Sequence, residues 1–116
     1  MIQYSPQYFF EAKTYVTLLL AMKDEEIYLD RREISRKANV DMGVMYILDD
    51  VFEKNKLVEK KPDKDEYRIT KKGIEYLEML NEKTSIYSEI YAENPEDDKL
   101  KSIDDKIGKI LSGLIK

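Results

Sequence analysis

The stretch VDMGVMYILDD, residues 40–50, decides the fold, because a helix start is followed there by an apolar stripe. Asp41 is a residue type that commonly caps a helix through its carboxylate. After it, apolar residues recur every three or four positions, on one face of a helix: Val44, Met45, Leu48, Val51 and Phe52. KNK at 54–56 then places positive charge at the negative end of the helix dipole. We predict a helix over residues 42–55.

A shorter helix is predicted immediately before this one. Asp30 is its capping residue, and residues 31–38 form it. A tight turn at residues 39–40 separates the two helices, so together they form a helix-turn-helix.

A β-hairpin follows. Residues 57–61 and 66–70 alternate apolar and polar side chains, and PDKD at 62–65 is typical of a turn. The side chains expected on its inner face are Val58, Tyr67 and Ile69.

Longer helices flank this unit. Ser5-Pro6 is a helix-start signal and predicts a helix over 6–23, followed by a short extended piece at 27–29. Another helix is predicted over 71–91, and ENPEDD at 93–98 ends it. The last helix carries an apolar seam at alternating three- and four-residue steps: Leu100, Ile103, Ile107, Ile110 and Leu114.

Residues 33–80 resemble winged-helix regulators of the PadR-like and MarR-like kinds, and small winged-helix proteins of archaeal viruses and plasmids. The resemblance is carried by EISRKANV, MGVMYILDDVFEKNKLVEK and YRITKKGIEYLEML, in that order. The residues that match the helix pattern of PadR-like proteins are Gly43, Met45, Tyr46 and Leu48. The step from wing to next helix, Y-x-[IL]-T-x-x-G, is matched by Tyr67, Ile69, Thr70 and Gly73.

Two positions depart from these families. They often carry leucine where this chain has Asp49, so the helix over 42–55 can sit differently here. They commonly have glycine where Lys56 stands, at the exit of that helix.

The resemblance implies a mainly α fold with a small β-hairpin wing. Residues 1–92 would form the winged-helix domain, with the helix-turn-helix at about 31–55 and the wing at about 57–70. Residues 93–116 would form a C-terminal helix for dimerisation or packing.

The implied function is transcriptional regulation by a homodimer bound to double-stranded DNA, with the helix over 42–55 in the major groove. Met42, Gly43 and Tyr46 would face the bases: Met42 and Tyr46 can contact thymine methyl groups, the Tyr46 hydroxyl can reach a phosphate or a base edge, and Gly43 would let the helix approach closely. The cations expected on phosphates are on the preceding helix and on the wing: Arg36, Lys37, Lys60, Lys61, Lys64 and Arg68.

The charge distribution favours DNA binding only in the middle of the chain. The chain has a net charge of −4, but residues 31–72 hold twelve Lys/Arg and nine Asp/Glu, a local +3. Asp49 and Asp50 would repel phosphates, unless they face solvent or pair with Arg31, Arg32 or Lys54. The alternative function is therefore a winged helix that binds other proteins in a transcription or replication assembly.

The last helix has an apolar seam, and the first helix is apolar over much of its circumference. Together they present more apolar surface than one small core easily buries. We expect a two-fold dimer, with intramolecular packing in a monomer as the alternative. The residues assigned to the dimer interface are Phe9, Val16, Leu100, Ile103, Ile107, Ile110 and Leu114.

Catalysis is not expected. The chain has no His and no Cys for zinc or for an acid–base relay, so we predict no enzyme, no metal and no cofactor. Its longest apolar stretch, VTLLLAM at 16–22, is too short to span a bilayer, and no basic leader precedes it. We expect a cytoplasmic protein with no membrane partner, and the sequence names no effector.

Overall fold

A computed structural model of the chain describes residues 5–114. The protein is mainly helical, with a small antiparallel sheet. Its helices and strands, in chain order, are α1 (Phe9–Ala21), β1 (Leu29–Asp30), α2 (Arg31–Ala38), β2 (Val58–Lys60), β3 (Glu66–Ile69), α3 (Lys71–Glu93) and α4 (Lys99–Ser112). The sheet order is β1-β3-β2, so β3 lies in the centre. This arrangement is compatible with a winged helix.

Helix α2 begins where the sequence predicts. Asp30 and Glu33 form a reciprocal capping box, in which each backbone N–H donates to the other's carboxylate, at 2.9 and 3.1 Å. Asn39 ends the helix in the left-handed region, with φ of 54°. The predicted helix over 31–38 and its Asp30 cap are therefore confirmed.

The predicted regular helix over 42–55 is wrong in its geometry. Asp41 does act as a cap, accepting from the Gly43 N–H at 3.2 Å, but the turn that follows, Met42–Val44, is a 3-10 turn. A wider π-helical stretch then occupies Leu48–Glu53. We call residues 42–53 the split helix. In this register Leu48 and Phe52 are buried, while Asp49 reaches the polar side chains of other elements.

The backbone beyond the split helix turns sharply at Lys56, the position where the resemblance leads one to expect glycine. Lys56 has φ of 61°, in the left-handed region that glycine enters without strain. The Thr70 hydroxyl donates to the Lys56 carbonyl at 2.6 Å and caps α3 by accepting from the Gly73 N–H at 3.0 Å. A Cβ on Gly73 would lie 2.1 Å from the Leu57 carbonyl oxygen. The T-x-x-G step thus joins this exit to α3.

Helices α1, α3 and α4 pack against one another, and the described part of the molecule is elongated, at 53 × 25 × 21 Å. Five of the seven residues assigned to a dimer interface are at most 9% exposed within one chain: Val16, Leu100, Ile103, Ile107 and Leu114. The other two, Phe9 and Ile110, are partly buried against the same core. This corrects the prediction for these residues, because the seam of α4 is covered by its own chain. The homodimer itself stays a prediction and would need another surface.

Helix α1 does not begin at Ser5-Pro6 as predicted. It begins at Phe9, where Tyr8 is the cap residue without a capping side chain and the Asp104 carboxylate of α4 accepts from the backbone instead. The N–H groups of Gln7, Tyr8 and Phe9 donate to it at 2.9, 3.1 and 2.9 Å. Asp104 is fully buried, and the Tyr8 ring packs onto Gly108 so closely that a Cβ there would lie 2.5 Å from it.

Replacing Asp104 by Asn should lower the free energy of unfolding by about 2–3 kcal/mol. The amide keeps the size of the carboxylate, but it removes the charge and turns one acceptor into a donor that faces a backbone N–H. Urea denaturation at pH 7 measures the change. Asp105→Asn is the matched control, since Asp105 is exposed on the same helix, and it should change stability by less than about 0.5 kcal/mol. Equal effects of the two substitutions would contradict the capping role.

Replacing Lys56 by Gly should raise the free energy of unfolding by about 0.5–1 kcal/mol. The left-handed conformation that strains a lysine costs a glycine nothing, and this gain exceeds the greater freedom of glycine in the unfolded chain. Lys54→Gly is the opposite control: Lys54 has φ of −58° and ψ of −32°, so glycine there should lower stability. Thermal unfolding measures the melting temperatures of both variants. Melting temperatures that move in the same direction would contradict the strain assigned to Lys56.

Candidate nucleic-acid interface

The first turn of the split helix presents apolar side chains to solvent. Met42 is 48% exposed and Tyr46 is 58% exposed, one helical turn further along. Gly43 lies between them with open space around it: a Cβ would have no neighbour nearer than 3.9 Å, the Asp41 carboxylate. Nothing in the fold therefore requires glycine at this position. The three residues predicted to meet DNA bases form one exposed surface.

Asp49, whose negative charge is unfavourable in a helix predicted to bind DNA, belongs to a polar cluster. Its carboxylate pairs with the Arg31 guanidinium at the start of α2, as one of the sequence alternatives had it. Arg31 also donates to Asp65 in the turn of the β2–β3 hairpin, at 2.6 Å, and to the Met45 carbonyl at 3.1 Å. Asp50, by contrast, is exposed. Arg31 therefore ties α2, the split helix and the hairpin together.

The Tyr67 side chain of β3 completes this cluster. Arg31 donates to its hydroxyl at 2.7 Å, and the hydroxyl lies 2.6 Å from Asp49 Oδ1 and 2.8 Å from Asp65 Oδ1. A phenol has a single proton, so it serves one carboxylate at a time. Lys60 Nζ lies 3.8 Å from Asp49 and 3.5 Å from Asp65. We call Arg31, Asp49, Lys60, Asp65 and Tyr67 the latch cluster; its two cations balance its two carboxylates.

The ionisation of the latch cluster follows from these contacts. Burial alone raises the pKa of Asp49, but hydrogen bonds from Tyr67 and Arg31 outweigh it, so the pKa lies below its usual value. The same balance lowers the pKa of Asp65. Burial, and then the hydrogen bonds to the two carboxylates, raise the pKa of the Tyr67 hydroxyl, which is protonated at neutral pH even at its ordinary value. The cluster thus holds two full carboxylate charges and a phenol that donates to them.

Most cations of the hairpin already have carboxylate partners. Besides Lys60, Lys61 pairs with Glu66 at 3.0 Å. Arg68 pairs with Glu59 at 2.5 Å, directly across the β2–β3 register. Lys61 and Arg68 also lie 4.7 and 4.6 Å from the centre of the Tyr28 ring, as cation–π contacts. In the unbound chain these cations are therefore engaged, and their predicted contact with phosphates stays a prediction.

Three of the predicted phosphate contacts remain available. Arg36 and Lys37 are exposed on α2, and Lys64 is exposed in the hairpin turn. Within residues 5–114 none of the three forms an ion pair. The structure thus separates the predicted cations into three that are free and three that are engaged.

Sequence reasoning missed two parts of this surface. It placed Tyr67 on the inner face, which is confirmed by its complete burial, but not its hydroxyl among three charged groups. It gave no role to Tyr28, whose ring is flanked by Lys61 and Arg68. Alternation along β3 predicts the face of the sheet to which a side chain points, but not the groups that its terminal atoms contact.

Comparison of the chain with protein-family models, with curated proteins and with solved structures gave no match. The likeness to winged-helix regulators therefore rests on the sequence motifs, with which the mainly helical fold and its small sheet are compatible. Among residues 5–114, no helix has the length and apolar character needed to cross a membrane. Over the same residues, no group of three or more Asp or Glu side chains is placed to hold a metal ion.

Asp49 should make stability depend on acid pH. A carboxyl whose pKa is lowered by folding stabilises the protein fully above its unfolded pKa, about 3.9, and this contribution is lost as pH falls through the lower folded pKa. Asp49→Asn should therefore be less stable than wild type at pH 7, and the gap should narrow below about pH 4. Urea unfolding at a series of pH values from 7 to 2 measures it.

Asp50→Asn is the control for this series, since Asp50 is the exposed neighbour. It should leave the free energy of unfolding near wild type at every pH. A constant gap between Asp49→Asn and wild type across the series would show that the latch cluster does not hold Asp49 ionised.

Proposed function

We propose that this protein is a winged helix-turn-helix transcriptional regulator that binds double-stranded DNA as a homodimer in the cytoplasm. The split helix would enter the major groove, and the β2–β3 hairpin would act as the wing. In a two-fold dimer the two split helices would lie about one duplex turn apart, roughly 34 Å. The apolar faces of α1 and α4 are largely buried within one chain, so dimerisation would use other surfaces.

The observation that carries this proposal is the exposed surface of Met42, Gly43 and Tyr46. Two large exposed side chains beside a glycine with open space offer a partner apolar contact together with close approach to the backbone. Met42 and Tyr46 could contact thymine methyl groups, and the Tyr46 hydroxyl could reach a phosphate or a base edge. Helix α2 contacts the first turn of the split helix, and it carries the free cations Arg36 and Lys37.

The latch cluster supports the proposal in a second way. Because its charges balance, Asp49 does not present an uncompensated negative charge to a phosphate. Because it connects α2, the split helix and the hairpin, it fixes their relative orientation before any DNA is bound. A preformed surface lowers the entropy that binding must overcome.

A second function is favoured by the engaged hairpin cations. Lys60, Lys61 and Arg68 each have a carboxylate partner, so a phosphate would have to displace that partner to gain an ion pair. A protein surface would make no such demand. Contact with another protein through Met42 and Tyr46, in a transcription or replication assembly, is therefore the alternative.

Affinity for a duplex, measured across salt concentrations, distinguishes the two functions. Each phosphate neutralised contributes about 0.9 to the negative log–log slope. With Arg36, Lys37 and Lys64 free, we expect a slope of about −3 for each chain bound. Fluorescence anisotropy with sites selected from a random duplex pool, at roughly 25–200 mM salt, measures it. No binding at the lowest salt would leave the protein-binding alternative.

Three substitutions sharpen this experiment. Lys64→Glu should weaken binding to all sequences and reduce the slope by about one. Tyr46→Ala should change which sequences are selected. Gly43→Ala should leave stability intact, because the space is open, yet weaken binding if the backbone must approach the bases closely.

Lys13→Glu is the matched control, because it makes the same charge change at an exposed lysine on α1. It should reduce affinity much less than Lys64→Glu. Equal losses would mean that net charge alone governs binding, and that the hairpin is not part of the interface.

A further inference from the structure

The Asp65 carboxylate, in the turn of the β2–β3 hairpin, is bound by side chains of the kind that proteins use to hold anions. Two cations from different elements contact it: Arg31 Nε at 2.6 Å, from the start of α2, and Lys60 Nζ at 3.5 Å, from the end of β2. The Tyr67 hydroxyl lies 2.8 Å from it. Arginine and lysine bind phosphate as well as carboxylate. The chain therefore contains an anion site that its own Asp65 occupies.

This site is open to solvent. The Asp65 side chain is 50% exposed, against 33% for Asp49, and the preceding turn residues 62–64 are exposed as well. The side chains of Arg31 and Lys60 are 25% and 33% exposed, so both cations can be reached beside the carboxylate. An ion pair in contact with water contributes little to stability, because water and salt screen it. Asp65 can therefore rotate into solvent, and an ion from solvent can take its place.

The departure of Asp65 would free one edge of the Arg31 guanidinium and leave the others held. Nε is the atom that donates to Asp65. Nη1 donates to the Met45 carbonyl at 3.1 Å, while Nη2 donates to Asp49 and to the Tyr67 hydroxyl. The Tyr67 hydroxyl keeps a partner too, because it lies 2.6 Å from Asp49 Oδ1. The donor that an incoming ion would meet is thus already oriented, which lowers the entropy lost on binding.

Charge and position favour a phosphate group as this ion. Without Asp65 the latch cluster would have two cations and one carboxylate, and so an excess positive charge. A phosphodiester carries one negative charge, as does the carboxylate that it would replace. The free cation Lys64 precedes Asp65 in the chain, and the exposed Tyr46 follows Met45, to whose carbonyl Arg31 donates. The site therefore adjoins residues that we assign to DNA binding.

We propose that Arg31 and Lys60 bind a phosphate group, and that Asp65 occupies their site only while the phosphate is absent. Asp65 then competes with the phosphate for the two cations and makes binding weaker than they would allow alone. The identity of the phosphate as part of a DNA backbone rests on the proposed function. A free phosphate ion is the other source of the same chemistry, and the experiments separate the two.

Replacing Asp65 by Asn removes the competing charge and keeps the size of the side chain. Asp65→Asn should bind a selected duplex about five-fold more tightly than its control, the factor expected for one exposed ion pair. Asp63→Asn is that control, because it makes the same charge change at an exposed turn residue with no ion pair within residues 5–114. Fluorescence anisotropy at about 100 mM salt measures both affinities. Since the expected change is a gain in affinity, a loss of fold cannot produce it.

Lys60→Gln tests whether the gain arises at this site. Lys60 is the second cation on Asp65, so adding Asp65→Asn to Lys60→Gln should improve duplex affinity by less than about two-fold. Lys61→Gln is the matched background: Lys61 pairs with Glu66 instead, so the gain of about five-fold should persist there. Gains of equal size in the two backgrounds would overturn the proposal.

Inorganic phosphate is the second probe, and it requires no DNA. Titrated at constant ionic strength, it should shift the NMR signal of the Arg31 Nε–H group saturably. Half of the shift should occur at a lower phosphate concentration in Asp65→Asn than in Asp63→Asn. The wild-type chain should show the same shift at the higher concentration, so the measurement holds even where a variant folds poorly.

The two probes together separate this proposal from the proposed function. Equal behaviour of Asp65→Asn and Asp63→Asn with both probes overturns the anion site, even where the wild-type chain binds the duplex. A gain on the duplex without binding of inorganic phosphate supports the site with DNA as its ligand. Saturable phosphate binding by a chain that binds no duplex supports the site with free phosphate as its ligand, and overturns the DNA-binding function.

Discussion

The surface proposed for recognition depends on one guanidinium. Arg31 donates to Asp49, Asp65 and the Tyr67 hydroxyl, which lie 18, 34 and 36 residues further along the chain, and to a backbone carbonyl of the split helix. Its charge-assisted bonds are stronger than neutral ones, and its planar shape lets one side chain serve several acceptors. Without it, two carboxylates would face each other across Tyr67 with only Lys60 between them. The relative positions of α2, the split helix and the hairpin therefore follow from the latch cluster.

The parts of the fold that sequence predicts correctly are the parts decided locally. The capping box of Asp30 and Glu33 is set by residues three apart, and the burial of Tyr67 follows from alternation along one strand. The parts it misses involve distant groups. Asp104 caps a helix that begins 95 residues earlier, a contact that no spacing rule contains. The π-helical register of the split helix accompanies ion pairs to two other elements.

The candidate site divides in the same way. The exposed positions Met42 and Tyr46 follow from helical phase after the Asp41 cap, so their location could be read from the sequence. Whether each cation is paired or free could not be read from the sequence, because a lysine that has several acids near it along the chain can pair with any of them or with none. In the structure Lys61 and Arg68 pair with Glu66 and Glu59, while Lys64 in the turn stays free. Composition counts all of these charges alike, whereas only an unpaired cation can contact a polyanion without first losing an ion pair within the protein.

Helix α3 connects the two ends of this molecule. Its first turn is held against the split helix exit by Thr70 and by the bare Gly73 backbone, where no other side chain fits. Its last turns carry Tyr87 and Tyr91, and the Tyr87 ring stacks on Phe9 at the start of α1. Asp104 of α4 holds the start of α1, because the N–H groups of Gln7, Tyr8 and Phe9 all donate to its carboxylate. Polar contacts thus hold both ends of the apolar layer that α1, α3 and α4 form: those of Thr70 at the start of α3, and those of Asp104 between α4 and the start of α1.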